Sequence, residues 1–186
     1  VLEYISNFSK TLENMAQNPN WLDADDWKWV QDTMPIACCD VVPVQVGSDG
    51  RAVERIGLIY RNTPHQGMRW CVVGGRIWRG ESLAQAAGRQ LRETLGPAIG
   101  FEVEADRQPD FVVQYFTTVR PHSLLDPRQH AITSMFVVPI EGMITAMGEA
   151  ESFRWFDRNA LPASQEFGFE QDKAIAATLK RWEAGK

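Results

Sequence analysis

Residues 70–96 constrain the fold more tightly than any other stretch of the chain. A short apolar run, Trp70 to Val73, passes through Gly74-Gly75 and a brief loop into a helix specified at both ends. Ser82 can cap that helix, and Gln85, three residues on, completes a capping box. Leu83, Ala87, Leu91 and Leu95 recur four apart, which gives one stripe to bury. Gly96 stands where a left-handed C′ residue belongs. A strand feeding through glycines into a capped, one-faced helix demands a sheet for the helix to pack on.

The rest of the chain supplies that sheet. Residues 36–46 and 55–61 read as strands joined through the turn Gly47-Ser48-Asp49-Gly50, and further strands are expected at about 99–105, 110–118, 131–139 and 152–156. A polar loop, Arg120 to Gln129, separates two of them, and a final helix is expected over about 169–183, with Ala174, Ile175, Thr178, Leu179 and Trp182 on one side. Irregular alternation of strands and helices favours a mixed sheet with helices on both faces. Ahead of it, Leu2, Ile5, Phe8, Leu12 and Met15 form a helical stripe, broken at Asn18-Pro19-Asn20. A short helix follows from about Asp23 to Asp32, with Trp27 and Val30 inward. The expected division is a helical extension, residues 1–32, and one domain, residues 33–186.

The 186 residues carry a net charge of -5 and a pI near 5.2, which argues against a general nucleic-acid binder with a basic face. A phosphorylated small molecule stays open, because a few arginines and a metal reverse the field inside one cleft. Cys38, Cys39 and Cys71 are an odd set without zinc spacing and suit reduced thiols in a cytoplasm. No apolar run approaches the roughly 20 residues of a membrane helix. The N-terminus lacks the order of a signal peptide. Val1 is not a start residue, so further residues are expected upstream.

Gly75 to Gly96, GRIWRGESLAQAAGRQLRETLG, resembles the Nudix box, with Gly75, Glu81, Arg89, Leu91, Glu93 and Gly96 on the pattern. The resemblance implies a Nudix α/β/α sandwich with a mixed sheet and an N-terminal helical extension. The box is degenerate: Gln90 and Thr94 stand where two of its glutamates belong, and Glu93 remains. Arg89 and Glu93, four apart, share a helix face. One reading is a surface ion pair. The other is a metal carboxylate held by an arginine, since Mg²⁺ needs one or two carboxylates if waters and phosphates complete its shell.

From about Trp29 to Leu161 the chain looks like the GDP-mannose mannosyl hydrolase branch. The matching stretches are Thr33-Met34-Pro35, Cys39-Asp40-Val41, Arg61-Asn62-Thr63-Pro64-His65-Gln66-Gly67, Gly74-Gly75-Arg76 and Phe153-Arg154-Trp155-Phe156. By that resemblance Asp40 lies near the sugar, Arg61, Arg76 and Arg89 surround the diphosphate, and the Gly74 carbonyl is a metal ligand. Where the branch has a Gln-His pair, as ligand and general base, this chain has Glu149-Ala150. Glu149 can ligate metal, but Ala150 cannot take a proton. Glu151 and His130 are the candidate bases, His130 for its near-neutral pKa. Tyr115, Phe116, Trp70 and Trp78 are open between packing and the cleft, and Trp78 borders the site where it could stack a base. His65, His122 and Arg79 read as solvated loop residues.

The expected function is metal-assisted hydrolysis of a nucleotide sugar, GDP-mannose among them, or of another nucleoside diphosphate derivative. Mg²⁺ or Mn²⁺ would sit on Glu93, Glu149 and Gly74, with Arg76, Glu93, Glu151 and His130 as catalytic candidates. The lost glutamates and base favour an alternative, a catalytically silent Nudix module that binds a nucleotide; a structural partner-binding domain would bind none. The expected partners are a small molecule and a second copy of the chain, joined through the 2–15 stripe, with no nucleic acid and no membrane.

Overall fold

The structure, a computed structural model, describes residues 22–48, 50, 52–121 and 123–185. The stripe Leu2 to Met15, the break at Asn18, Asp49 in its turn and His122 lie outside the described residues. The helices are α1 (Ala24–Thr33), α2 (Leu83–Leu95) and α3 (Gln171–Ala184). The strands are β1 (Ile36–Val46), β2 (Val53–Thr63), β3 (Gly67–Cys71), β4 (Val73–Arg76), β5 (Ile99–Phe101), β6 (Phe111–Phe116), β7 (Leu124–Leu125), β8 (Ala131–Gly142) and β9 (Ser152–Asp157).

The sheet runs β3-β2-β1-β8-β6-β7, with β4 on β1, β9 on β2 and β5 on β8. It is mixed, because β1 pairs parallel with β8 and antiparallel with β2 and β4. The central β1 is buried along nearly its whole length, as the unbroken run CCDVVPV requires of a strand covered on both faces. Two successive residues show the layering. The Cys39 thiol lies 3.8 Å from the Leu83 carbonyl of α2, whereas Asp40 meets Gln171 of α3. Adjacent side chains of a strand point to opposite faces, so α2 and α3 flank the sheet from either side. This is the α/β sandwich that the box predicts.

Ser82 and Gln85 form the capping box at α2, and Ala87, Leu91 and Leu95 are fully buried, while Leu83 is half-buried. Gly96 takes a positive φ of 88° but a ψ of 165°, so it leaves the helix extended rather than in the left-handed turn. The single strand expected at Trp70 to Val73 is two strands broken at Val72, and Gly74 and Gly75 belong to β4. There they pair with Asp40 and Cys39. A Cβ on Gly74 would lie 2.1 Å from Asp40 Oδ1, and one on Gly75 would lie 2.8 Å from Gln90 Nε2. Gly74, which would also meet the Cys39 backbone oxygen at 2.8 Å, needs a bare backbone, whereas Gly75 meets only the end of a side chain. The last helix starts at Gln171, after Phe169 and Glu170 turn through φ of 56° and 55°. Strand β5 stops at Phe101, short of the expected 105, as the chain turns polar at Glu102. Among the described residues no helix is long and apolar enough to cross a membrane.

Candidate functional site

A cleft of about 610 Å³ opens where β1, β4, β6 and β8 meet α1, α2 and the start of α3. Asp40, Arg61, Gly74, Arg76, Arg89, Glu93 and Glu149 all line it. Their elements explain the convergence. Arg76 ends β4 beside Cys38 of β1, Arg89 and Glu93 rise from one face of α2, and Glu149 sits on the loop before β9. That loop is tied to the end of α2, since Thr145 N donates to Leu95 O and Met147 N to Thr94 O, both at 2.9 Å.

Arg89 organises the box. Its Nε and Nη2 donate to Glu81 at 2.6 and 3.0 Å, its Nη1 to Glu93 at 2.9 Å, and its Nη2 also to the Arg76 carbonyl at 3.1 Å. The guanidinium lies 3.9 Å over the Trp78 ring, and that of Arg76 lies 4.6 Å over Trp27. Burial and then, to a smaller extent, the nearby Arg89 lower the pKa of Arg76. Arg61 pairs with Glu149. Arg128 forms a two-pronged pair with Asp126 and stacks on Phe169 at 4.3 Å.

Asp40 forms part of the floor. Burial raises its pKa to about 7, with Arg61 opposing and Glu149 assisting. Gln171 bridges Asp40 Oδ2, at 3.4 Å, and the Val72 amide, at 3.0 Å. Two buried polar atoms among the lining residues, Arg61 Nε and the Tyr115 hydroxyl, have no protein partner, and such atoms commonly meet a ligand or water. Burial pushes the Cys38 and Cys71 thiols up to about 12 and raises Cys39 as well. These thiols stay protonated, which removes them as nucleophiles.

His130 and Glu151 do not line the cleft. Ala131 and Thr133 of β8 do, and the strand's alternation turns their neighbours away. The His130 ring is stacked on Phe116, with centroids 4.4 Å apart. Glu151 is exposed, and its amide donates to Tyr60 O. Trp70 packs between Tyr60 and Phe156 rather than in the cleft. Asp126, Arg128 and Gln129 read from sequence as a polar loop. Their side chains reach the cleft because the chain doubles back onto β6 at Leu124-Leu125.

Among the described residues no three His, Cys, Asp or Glu side chains converge as a ready metal cluster. Glu93 and Glu149 nonetheless face the cleft half-exposed, and the known pairs use one oxygen of each. A carboxylate offers about four lone-pair sites. The Gly148 backbone adjoins the Glu93 backbone carbonyl, a Cβ there lying 3.5 Å from it, so the two segments that carry these glutamates meet at the cleft edge. This set fits a hard cation that keeps waters and borrows phosphate oxygens.

Comparison with known proteins adds the family. A family described as "Domain of unknown function (DUF4916)" matches residues 17–180. An octanoyltransferase of Myxococcus xanthus is 32% identical over 108 residues, which cover 58% of this chain. That match takes in 28% of the octanoyltransferase, so the chain corresponds to a minor part of it. A structure from Jonesia denitrificans, described as a possible asymmetric diadenosine tetraphosphate hydrolase, is 27% identical with a TM-score of 0.72, covering 81% of this chain and 98% of that one. A MutT Nudix hydrolase from Burkholderia pseudomallei is 20% identical with a TM-score of 0.56, over 80% of this chain and 98% of that one. A diadenosine tetraphosphate hydrolase from C. elegans is 13% identical with a TM-score of 0.54, over 81% and 96%. The fold is the Nudix fold.

Proposed function

We propose that this chain, which belongs to the DUF4916 family and has a Nudix fold, is a metal-assisted hydrolase of a nucleoside diphosphate derivative, with nucleotide sugars as the first class to test. The observation that carries the reading is the arginine wall. Arg76 and Arg89 are linked through the Arg76 carbonyl and face one cleft with Arg61. Adjacent guanidinium groups suit a diphosphate, whose oxygens they can grip in pairs.

Mg²⁺ or Mn²⁺ would be held by Glu93, Glu149 and the Gly74 carbonyl, and would supply neutralisation of the diphosphate's charge. Arg61 and Arg76 bind and orient the phosphates. Arg89 holds Glu93 in position, and Asp40, on the floor beside Gly74, faces the group attached beyond the diphosphate. Tyr115 and Arg61 Nε meet polar atoms of that group. The cleft's half-enclosed shape limits water around these contacts, which strengthens them.

A silent nucleotide-binding module is the second reading, favoured by the placement of His130 and Glu151 outside the cleft and by Ala150 where a base would stand. Incubation with a panel of nucleotide sugars and dinucleoside polyphosphates, with Mg²⁺ or Mn²⁺, followed by phosphorus NMR, separates the two. Product that disappears in Glu93→Gln supports the hydrolase. Nucleotide binding without product supports the silent module. No binding by calorimetry overturns both.

A further inference from the structure

Helix α1 has no fully buried residue, yet Asp23, Ala24, Trp27 and Gln31 line the cleft. Gln31 fastens it to the body by donating to Gln129 at 2.8 Å. Trp27, half-buried, lies under the Arg76 guanidinium. A second indole is tied to the same stretch of β4 through the Arg76 backbone. Arg76 O accepts from Arg89 Nη2 at 3.1 Å, and Arg89 covers Trp78 at 3.9 Å. Both indoles line the cleft. Each therefore stacks with one guanidinium of the arginine wall.

We propose that Trp27 and Trp78 form an aromatic subsite that takes the planar base of the nucleoside diphosphate, so that α1 serves as a wall for base recognition. The inference rests on reading the cleft as a nucleoside diphosphate site. An indole offers a broad flat face, and a base stacks on it with little demand on sequence or ring substituents. A guanidinium stacked on each ring keeps charge beside the aromatic surface. One ligand with a charged middle and a flat end satisfies both features. A free phosphate uses the arginines but has no flat group to set against the indoles.

The competing role for Trp27 is to hold Arg76, and the two roles part in a binding experiment. Calorimetry on the full chain with Mg²⁺ compares GDP with inorganic pyrophosphate. Trp27→Ala is expected to weaken GDP binding roughly tenfold and to leave pyrophosphate within about twofold. Trp27→Phe is expected to recover most of the loss. Trp27→Leu, which keeps apolar bulk but no π face, is expected to behave as the alanine variant does, a control against loss of folding. Parallel losses for both probes, or no loss for either, overturn the subsite. So does a wild-type chain that binds GDP no tighter than pyrophosphate, which leaves the diphosphate reading standing. A wild-type chain that binds neither probe overturns that reading and the subsite together.

Discussion

The Arg89 guanidinium grips both carboxylate oxygens of Glu81, Nε on Oε1 at 2.6 Å and Nη2 on Oε2 at 3.0 Å. Glu81 Oε2 also accepts the Trp78 amide at 2.8 Å. Glu81 thus fastens the loop after β4 to the second turn of α2. The side chains of the pair are 14% and 16% exposed, between the exposed pairs that count for little and the buried ones that are costly to break.

Glu81→Gln is therefore expected to destabilise the fold by about 2 kcal/mol, a fall of roughly 4–8 °C in melting temperature. The hydrogen bond from Arg89 is the chief cause that lowers the Glu81 pKa. A lowered carboxylate contributes stability above its unfolded pKa and loses it as pH falls through the folded one. The gap between wild type and variant should narrow in acid. A gap that is flat across acidic pH counts against the clamp.

Asp40 behaves in the opposite sense. Its pKa rises from 3.8 to about 7, through burial first. The folded state then holds a proton that the unfolded state has lost, so stability falls as pH rises from about 4 to about 7, by at most about 1.4 kcal/mol per pH unit. Asp40→Asn should remove that slope and be the more stable protein at pH 8. Chemical denaturation in EDTA across pH 4–8 tests this, and parallel curves for the two proteins would refute it.

Glu149→Gln should change the sign of its effect with metal. Glu149 is paired with Arg61, so neutralising it leaves Arg61 to phosphate. In EDTA the variant should bind GDP roughly five- to tenfold tighter, and in Mg²⁺ roughly tenfold weaker than wild type. Losses under both conditions would show that Glu149 acts through structure alone.

The two glycines of β4 should differ. A Cβ on Gly74 meets Asp40 Oδ1 at 2.1 Å and the Cys39 backbone oxygen at 2.8 Å, whereas one on Gly75 meets the amide end of Gln90. Backbone cannot move aside cheaply and a side-chain end can. Gly74→Ala is expected to cost about 3 kcal/mol and Gly75→Ala about 1 kcal/mol, read by urea denaturation. The reverse order would be inconsistent with this packing.

Local pattern carried much of this fold. Ser82, Gln85 and the spacing of Leu91 and Leu95 define α2 because capping and amphipathicity are decided within a few residues. The break at Val72 stayed hidden because it answers to β1, thirty residues earlier in sequence. In the cleft, Arg61, Arg76, Arg89 and Glu93 were legible from motif and charge. Gln171, Arg128 and Trp27 were not. Gln171 reads as an ordinary helix residue, Arg128 as part of a polar loop, and Trp27 as packing. His130 looked like a base by chemistry, but strand alternation, which a residue at a strand entrance barely displays, turned it to Phe116.

The bridge made by Gln171 ties the cleft floor to the last helix. It joins positions 99 and 131 residues away in sequence, Val72 and Asp40. During synthesis the sheet can pair β1 with β2 and β4 long before residue 171 leaves the ribosome, but the floor cannot close until it does. Contacts of such long sequence separation form late in folding because the chain between them must first be ordered. A chain stalled before α3 would thus hold the paired strands with the Asp40 side of the cleft unbraced.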